Sequence, residues 1–241
     1  MPQAIEAPPK EAIPDLTKIR IEDGKPVDSI HNEKQQRLLA SALQRPWPGL
    51  APGRRWMVFA NVGYFYRISP TRGLAPDAML SLDVEPGDPL QEAADRSYFL
   101  WQRGKPPEVV VEIVSDYEGE ELGAKRDQYA LGMVPYYAVF DPRLRLSDQM
   151  LQAFRRESDT GSYVALDRAW FPLVSLGLRV WEGEYEGVRS TWLRWCDQHA
   201  NVIPTETEFA EAQRQRAETQ QQRADRLAAR LRELGINPDE V

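Results

Sequence analysis

The pattern of apolar and polar residues predicts a strand–helix–strand unit near the middle of the chain. Residues 109–114 form an apolar run of strand length that is interrupted by one acid, Glu112. Residues 120–132 have the spacing of an amphipathic helix that ends at Gly132, and residues 134–141 form a second apolar strand. A strand–helix–strand unit of this length is a crossover, so we expect its two strands to pair in parallel.

Shorter patterns on either side of this unit predict the rest of an α/β core with a mixed sheet. Residues 32–43 predict a first helix, with Ser29 or Asn32 as its N-cap. The aromatic and β-branched residues of 56–68 predict one strand or a hairpin, and 85–105 reads as a long loop. The remaining expected strands are short and cover residues 80–84, 151–156, 163–166 and 178–185. We expect the last three to be antiparallel and either to extend the sheet or to form a side layer.

The C-terminal segment, residues 205–234, contains neither Gly nor Pro and has a seven-residue repeat. The two repeating sets are Ala210, Ala217, Ala224 and Leu231, and, offset by three, Gln213, Gln220, Leu227 and Leu234. This is the a/d pattern of a coiled coil, and it predicts a homodimer or higher homo-oligomer. The alternative is a single solvated helix held by charge pairs along one face.

We therefore divide the chain into three parts. Residues 1–28, rich in Pro and charge, form an extended N-terminal arm; residues 29–203 form the α/β domain; and residues 204–241 form the C-terminal coiled-coil helix.

Composition limits the chemistry and the location of the protein. The 241 residues include one cysteine, Cys196, and two histidines, which excludes a zinc site rich in thiolate or imidazole. Any metal would be held by oxygen ligands. No apolar run approaches the roughly 20 residues that cross a bilayer, and the N-terminus lacks the features of a signal peptide. We therefore expect a cytoplasmic protein that does not associate with a membrane.

The charge balance counts against DNA as the substrate. The net charge is -7, whereas neutralisation of phosphates by a basic face supplies most of the nonspecific affinity for DNA. Three local pairs could still form such a face after folding: Arg54 with Arg55, Arg143 with Arg145, and Arg155 with Arg156.

Two acids and a lysine are the candidate chemical groups. Strand alternation puts Glu112 on the face opposite Val111 and Ile113, and a buried carboxylate needs a partner or a metal; an edge-strand Glu that faces water is the alternative. Asp77 follows Pro76 at the start of a strand, where it could instead cap a turn. Two carboxylates that converge on one cleft make a Mg²⁺ site. Lys125 either pairs with Glu121, four residues earlier, or faces the sheet near Glu112.

An ordered series of motifs resembles the Uma-type restriction endonuclease family of bacteria, a branch of the PD-(D/E)XK nuclease superfamily. The motifs lie within residues 28–200. They are Pro76-Asp77 before an apolar strand, residues 110–115 (VVEIVS), Gly123-Ala124-Lys125 with Tyr129, Gly132, Val134-Pro135 and Phe140-Asp141-Pro142. The resemblance implies a restriction-endonuclease-like core of mixed sheet flanked by helices, and hydrolysis of DNA phosphodiester bonds with Mg²⁺ or Mn²⁺.

By this resemblance Asp77 and Glu112 are the metal ligands, and they are catalytic together with Lys125. The superfamily pattern has a lysine two residues after the second acid, where this chain has Val114. Lys125 on the following helix matches the position to which the lysine has moved in this family. Tyr129 and Glu33 are accessory candidates, although Glu33 is also a usual first-turn acid of a helix.

The main alternative is a nuclease-like fold without catalysis, serving as a binding or scaffold protein that assembles through its coiled coil. The acidic balance and the absence of the in-line lysine favour this alternative. A hydrolase with a nucleophilic residue finds little support, because the chain has no Gly-x-Ser-x-Gly motif.

Overall fold

The computed structural model of the protein describes residues 29–68, 73–88, 90, 92–115, 120–234 and 237. They belong to two compact units, of which the first ends at Ile203 and the second begins at Pro204. The arm predicted over residues 1–28 lies outside the described residues.

Among the described residues, a mixed six-stranded sheet forms the centre of the first unit. Its strands, in spatial order, are β1 (Trp56–Ala60), β3 (Ala78–Leu82), β5 (Val109–Ile113), β6 (Tyr136–Phe140), β7 (Leu151–Arg156) and β8 (Tyr163–Ala165). Neighbours are antiparallel except for β5 and β6, which are parallel. Their connection contains a 3-10 turn, Glu120–Leu122, and the helix α3 (Ala124–Leu131). The mixed α/β core and the parallel crossover predicted from the sequence are confirmed.

The described part of the first unit also contains two smaller sheets. The short strands β2 (Tyr64–Phe65) and β4 (Tyr98–Phe99) pair in parallel, and α2 (Leu100–Arg103) follows β4. The second small sheet is antiparallel, with β10 (Leu176–Tyr185) between β9 (Trp170–Phe171) and β11 (Val188–Cys196).

Two expectations are corrected here, and one strand was not predicted. The prediction of one strand or a hairpin over residues 56–68 is wrong, because the chain turns at Asn61, with φ of 52°, and β1 and β2 then join different sheets. The predicted loop 85–105 contains β4 and α2. The long strand β11 was not expected at all.

The helix α1 (Ile30–Ser41) begins at the N-cap Ser29, whose side chain accepts a hydrogen bond from the backbone N–H of Asn32. Buried residues form one cluster on each face of the sheet. Val109, Val111 and Ile113 pack with α1, β10 and β11, whereas Val110 and Val114 pack with α3. Because side chains alternate along a strand, Glu112 lies on the face that α3 covers.

The second unit contains α4 (Glu206–Glu233), a helix of 28 residues. Thr205 caps it in a capping box with Glu208, which satisfies backbone donors at both residues. No residue of α4 is buried. Among the described residues, no helix is both long enough and apolar enough to cross a membrane.

Candidate active site

Asp77 immediately precedes β3, and Glu112 lies on the adjacent antiparallel strand β5. The pairing of β3 with β5 joins Ala78 to Val111, so the next position along the ladder brings Asp77 opposite Glu112. The Oδ2 atom of Asp77 also accepts a hydrogen bond of 2.6 Å from the backbone N–H of Ile113. Both acids are buried, with 9% and 2% of their surfaces exposed. The sheet thus brings together the two acids singled out in the sequence.

The other oxygen of Asp77 is held by a residue that the sequence analysis did not identify. Gln36, on α1, donates a hydrogen bond of 2.7 Å from Nε2 to Oδ1 of Asp77. The available signal was a row of polar residues (Asn32, Gln35 and Gln36) beside the apolar stripe of α1, all three of which are buried. With donors from both α1 and β5, the orientation of the Asp77 carboxylate is fixed.

Two side chains of α3 reach the Glu112 carboxylate. The hydroxyl of Tyr129 donates a hydrogen bond of 2.6 Å to Oε1, and the ammonium of Lys125 lies 3.2 Å from Oε2. Lys125 and Tyr129 are four residues apart, so they occupy the same face of the helix. Residue 114, where the superfamily pattern has its lysine, is a buried valine that packs towards α3.

Burial, together with the nearby charge of Asp77, raises the pKa of Glu112 to about 8. Lys125 and the hydrogen bond from Tyr129 oppose this shift. Glu112 is therefore a buried carboxyl beside a second carboxylate, with its pKa well above the ordinary value. Strong shifts of this kind are characteristic of functional carboxylates.

Lys125 lies between two acids. Its ammonium is 3.2 Å from Glu112 and 3.1 Å from Oε1 of Glu121, so both alternatives considered for this lysine occur together. Burial lowers the pKa of Lys125, but the two carboxylates outweigh burial and the net change is upward. The side chain is 31% exposed, and it therefore presents a permanent positive charge both to Glu112 and to solvent. Glu121, which is buried, was considered in the sequence only as a helix partner.

Glu33 does not contact Asp77 or Glu112. It is exposed on α1 and lies 3.0 Å from the guanidinium of Arg37, one turn further along. From α1, it is Gln36 that contacts Asp77.

The carboxylates of Asp77 and Glu112 are suitable ligands for a hard divalent cation. Mg²⁺ usually takes one or two carboxylates and completes its shell with water and substrate phosphate oxygens. Asp77 and Glu112 supply two carboxylates, and each carboxylate has about four lone-pair sites, so an oxygen that accepts one hydrogen bond can also bind a cation. Among the described residues, no group of three or more His, Cys, Asp or Glu side chains is arranged to hold a metal ion. The residues thus fit Mg²⁺ with two protein ligands and not a closed structural metal site.

Two of the three arginine pairs considered for a basic face contain residues bonded to acids. Arg54 lies 2.5 Å from Asp83, and Arg55 lies 2.5 Å from Glu85. Arg155 lies 3.8 Å from Glu157. These contacts reduce the positive charge that the arginines present to a polyanion.

The family model described as "Uma2: Putative restriction endonuclease" matches residues 16–182 of the chain. The matched region contains Gln36, Asp77, Glu112, Lys125 and Tyr129. A comparison with curated proteins gives no significant match.

Proposed function

The chain belongs to the Uma2 restriction-endonuclease family, and from this premise we propose that it is a metal-dependent endonuclease that hydrolyses phosphodiester bonds in DNA. The observation that carries the proposal is that Asp77, by the register of the ladder, lies opposite Glu112, and that the ammonium of Lys125 contacts the Glu112 carboxylate. The residue before β3 supplies Asp77, β5 supplies Glu112 and α3 supplies Lys125. A purely structural ion pair between Glu112 and Lys125 would not require Asp77 opposite the same carboxylate.

In this proposal Asp77 and Glu112 hold Mg²⁺ or Mn²⁺. The bound cation would supply an acidified water and would screen the negative charge that develops on the phosphate. Gln36 and the backbone N–H of Ile113 keep the Asp77 carboxylate in a fixed orientation, and Tyr129 does the same for Glu112. Hydrogen bonds of this kind commonly tune metal affinity by positioning the ligands.

Lys125 supplies the positive charge that acts on the substrate. Hydrolysis forms a bond between a water oxygen and phosphorus, breaks one bond between phosphorus and a sugar oxygen, and leaves a proton for the departing oxygen. An ammonium beside Glu112 can orient the attacking water and stabilise the charge on the phosphate oxygens. The raised pKa of Lys125 keeps it protonated throughout the neutral range.

We further propose that the protein acts as a homodimer or higher homo-oligomer through residues 205–234. Two protomers provide two active sites, which suits the cutting of two strands. The seven-residue repeat of α4 supports this assembly, as does the exposure of two leucines of that repeat, Leu227 (57%) and Leu234 (62%).

Cleavage of a supercoiled plasmid tests the function. With Mg²⁺ or Mn²⁺ the wild type should nick the plasmid, and Asp77→Asn and Glu112→Gln, which keep the size of each side chain, should abolish nicking. An RNA of the same sequence, incubated in parallel, should remain intact. Cleavage that survives both substitutions would place the site elsewhere. No cleavage, together with no metal-induced rise in melting temperature, would instead favour a nuclease-like scaffold.

A further inference from the structure

The two repeating sets of α4, which we call its seam, differ in composition along the length of the helix. Its N-terminal half carries small or polar residues at the seam positions, namely Ala210, Gln213, Ala217, Gln220 and Ala224. Its C-terminal end carries the three leucines Leu227, Leu231 and Leu234. If two copies pair in parallel and in register, each leucine meets its own equivalent in the other copy. If they pair antiparallel along the whole helix, the leucines of one copy face Ala and Gln of the other.

The charges are uneven around the helix as well. With the Ala210 set at the a positions and the Gln213 set at the d positions, the g positions form one flank of the seam. They carry Arg216, Arg223 and Arg230 at seven-residue intervals. The opposite flank, at the e positions, carries Gln221 and Ala228 after a first arginine, Arg214. Beyond that flank, at the b positions, lies an acidic row of Glu211, Glu218 and Asp225, followed at the next b position by Arg232.

Pair orientation decides which flanks meet. In a parallel pair the g residues of one helix face the e residues of the other, whereas in an antiparallel pair g faces g. Antiparallel pairing would therefore set the row of three arginines against its own copy, and like charges repel. Parallel pairing sets Arg216 and Arg223 against the neutral Gln221 and Ala228, with the acidic row just outside them. The leucines and the charges thus favour the same orientation for independent reasons.

We propose that α4 pairs in parallel and in register with the α4 of a second copy of this chain. The interface is the seam formed by Leu227, Leu231 and Leu234, and the arginine row at the g positions excludes the antiparallel alternative. Both Thr205 caps then lie at the same end of the pair, so both first units are attached at that end. The use of this arrangement for cutting two strands rests on the proposed function, but the pairing itself does not.

Disulfide trapping in the full-length protein tests the orientation. Cys196, which is buried, is first replaced by alanine, so that a single cysteine can be placed on α4. In that background Leu234→Cys and, separately, Ala210→Cys should each form a disulfide-linked dimer as the main species after mild oxidation. Arg232→Cys, on the side of the helix away from the seam, is the matched control and should stay largely uncrosslinked.

Mixing the two seam variants completes the test. In a parallel pair position 210 of one copy lies far from position 234 of the other, so Ala210→Cys and Leu234→Cys proteins should give almost no mixed disulfide, identified by mass after tagging one variant. Abundant mixed disulfide would overturn the proposal in favour of antiparallel pairing. A monomer by sedimentation equilibrium at micromolar concentration, with no crosslinking above the Arg232→Cys control, would overturn the pairing altogether. These readouts do not involve cleavage, so failure of the nuclease assignment would leave them interpretable.

Discussion

The Nζ atom of Lys125 lies 3.2 Å from Oε2 of Glu112, although the two residues are 13 positions apart in the chain. The strand position two residues after Glu112 is occupied by Val114, which is buried among the side chains that pack towards α3. The positive charge beside Glu112 therefore comes from Lys125 on α3 and not from residue 114, where the superfamily pattern has its lysine. The strand position is then available for core packing, and the ammonium can reach both Glu112 and solvent.

The hydroxyl of Tyr129 should matter for metal binding. Tyr129→Phe removes the donor to Oε1 of Glu112, which raises the pKa of that carboxyl further because the hydrogen bond lowers it. We expect the affinity for Mn²⁺ at neutral pH to fall about 10–100-fold and the free energy of unfolding to fall by about 1–3 kcal/mol. Calorimetric titration and urea unfolding measure the two quantities.

Tyr137→Phe is the matched control for this change. Tyr137 is also buried and stacks on Tyr129, but its hydroxyl donates to the backbone oxygen of Glu121. It should lose comparable stability and keep its metal affinity. Equal metal affinity in all three proteins would contradict the assigned role of Tyr129.

The titration of Glu112 should make the stability of the metal-free protein depend on pH. The pKa of Glu112 is about 8 in the folded protein, above its ordinary value of 4.5. Between these values the folded state holds a proton that the unfolded state has released. This contribution to stability is therefore complete below the ordinary pKa and is lost as the pH rises towards 8.

Glu112→Gln should remove this part of the pH dependence, because the amide does not titrate. Urea unfolding of the wild type and of Glu112→Gln, measured without divalent cations across that range, compares the two slopes. We expect a steeper decline of stability for the wild type. Parallel curves would show that Glu112 is already charged when buried.

Gln36 should support metal binding without touching the metal. Gln36→Leu keeps the side chain buried but removes the donor to Oδ1 of Asp77, so the carboxylate loses one of the bonds that orient it. We expect about a 10–100-fold loss of Mn²⁺ affinity. Arg37→Gln, on the exposed side of the same helix, breaks only surface ion pairs and should change little. Unchanged affinity in Gln36→Leu would mean that the backbone N–H of Ile113 is sufficient to hold Asp77.

Local periodicity predicted much of this arrangement. Alternation along β5 put Glu112 on the face opposite Val111, and helical spacing put Lys125 and Tyr129 on one side of α3. The parallel pairing of β5 with β6 followed from the length of the crossover. Each of these inferences depends on residues close together in the chain.

Contacts between distant segments could not be predicted in the same way. The bond between Gln36 and Asp77 joins residues 41 positions apart, and it forms only because α1 packs across the sheet. On α1 the family resemblance suggested Glu33 only as an accessory ligand, beside its ordinary role as a first-turn acid of a helix. The buried face of that helix, however, carries Asn32, Gln35 and Gln36 beside its leucines. The turn at Asn61 and the strand β11 could not be predicted for the same reason, because each depends on the sheet in which a segment pairs.

The most direct test of the account is the effect of Lys125→Met on plasmid nicking at saturating Mg²⁺. Arg126→Met serves as the control, because Arg126 is the next residue of α3 and its guanidinium lies over the ring of Phe154. We predict that Lys125→Met lowers the nicking rate by about 10²–10³-fold, retains Mn²⁺ binding and melts as a folded protein, while Arg126→Met nicks like the wild type. Nicking at the wild-type rate by Lys125→Met would contradict the role assigned to the lysine on α3.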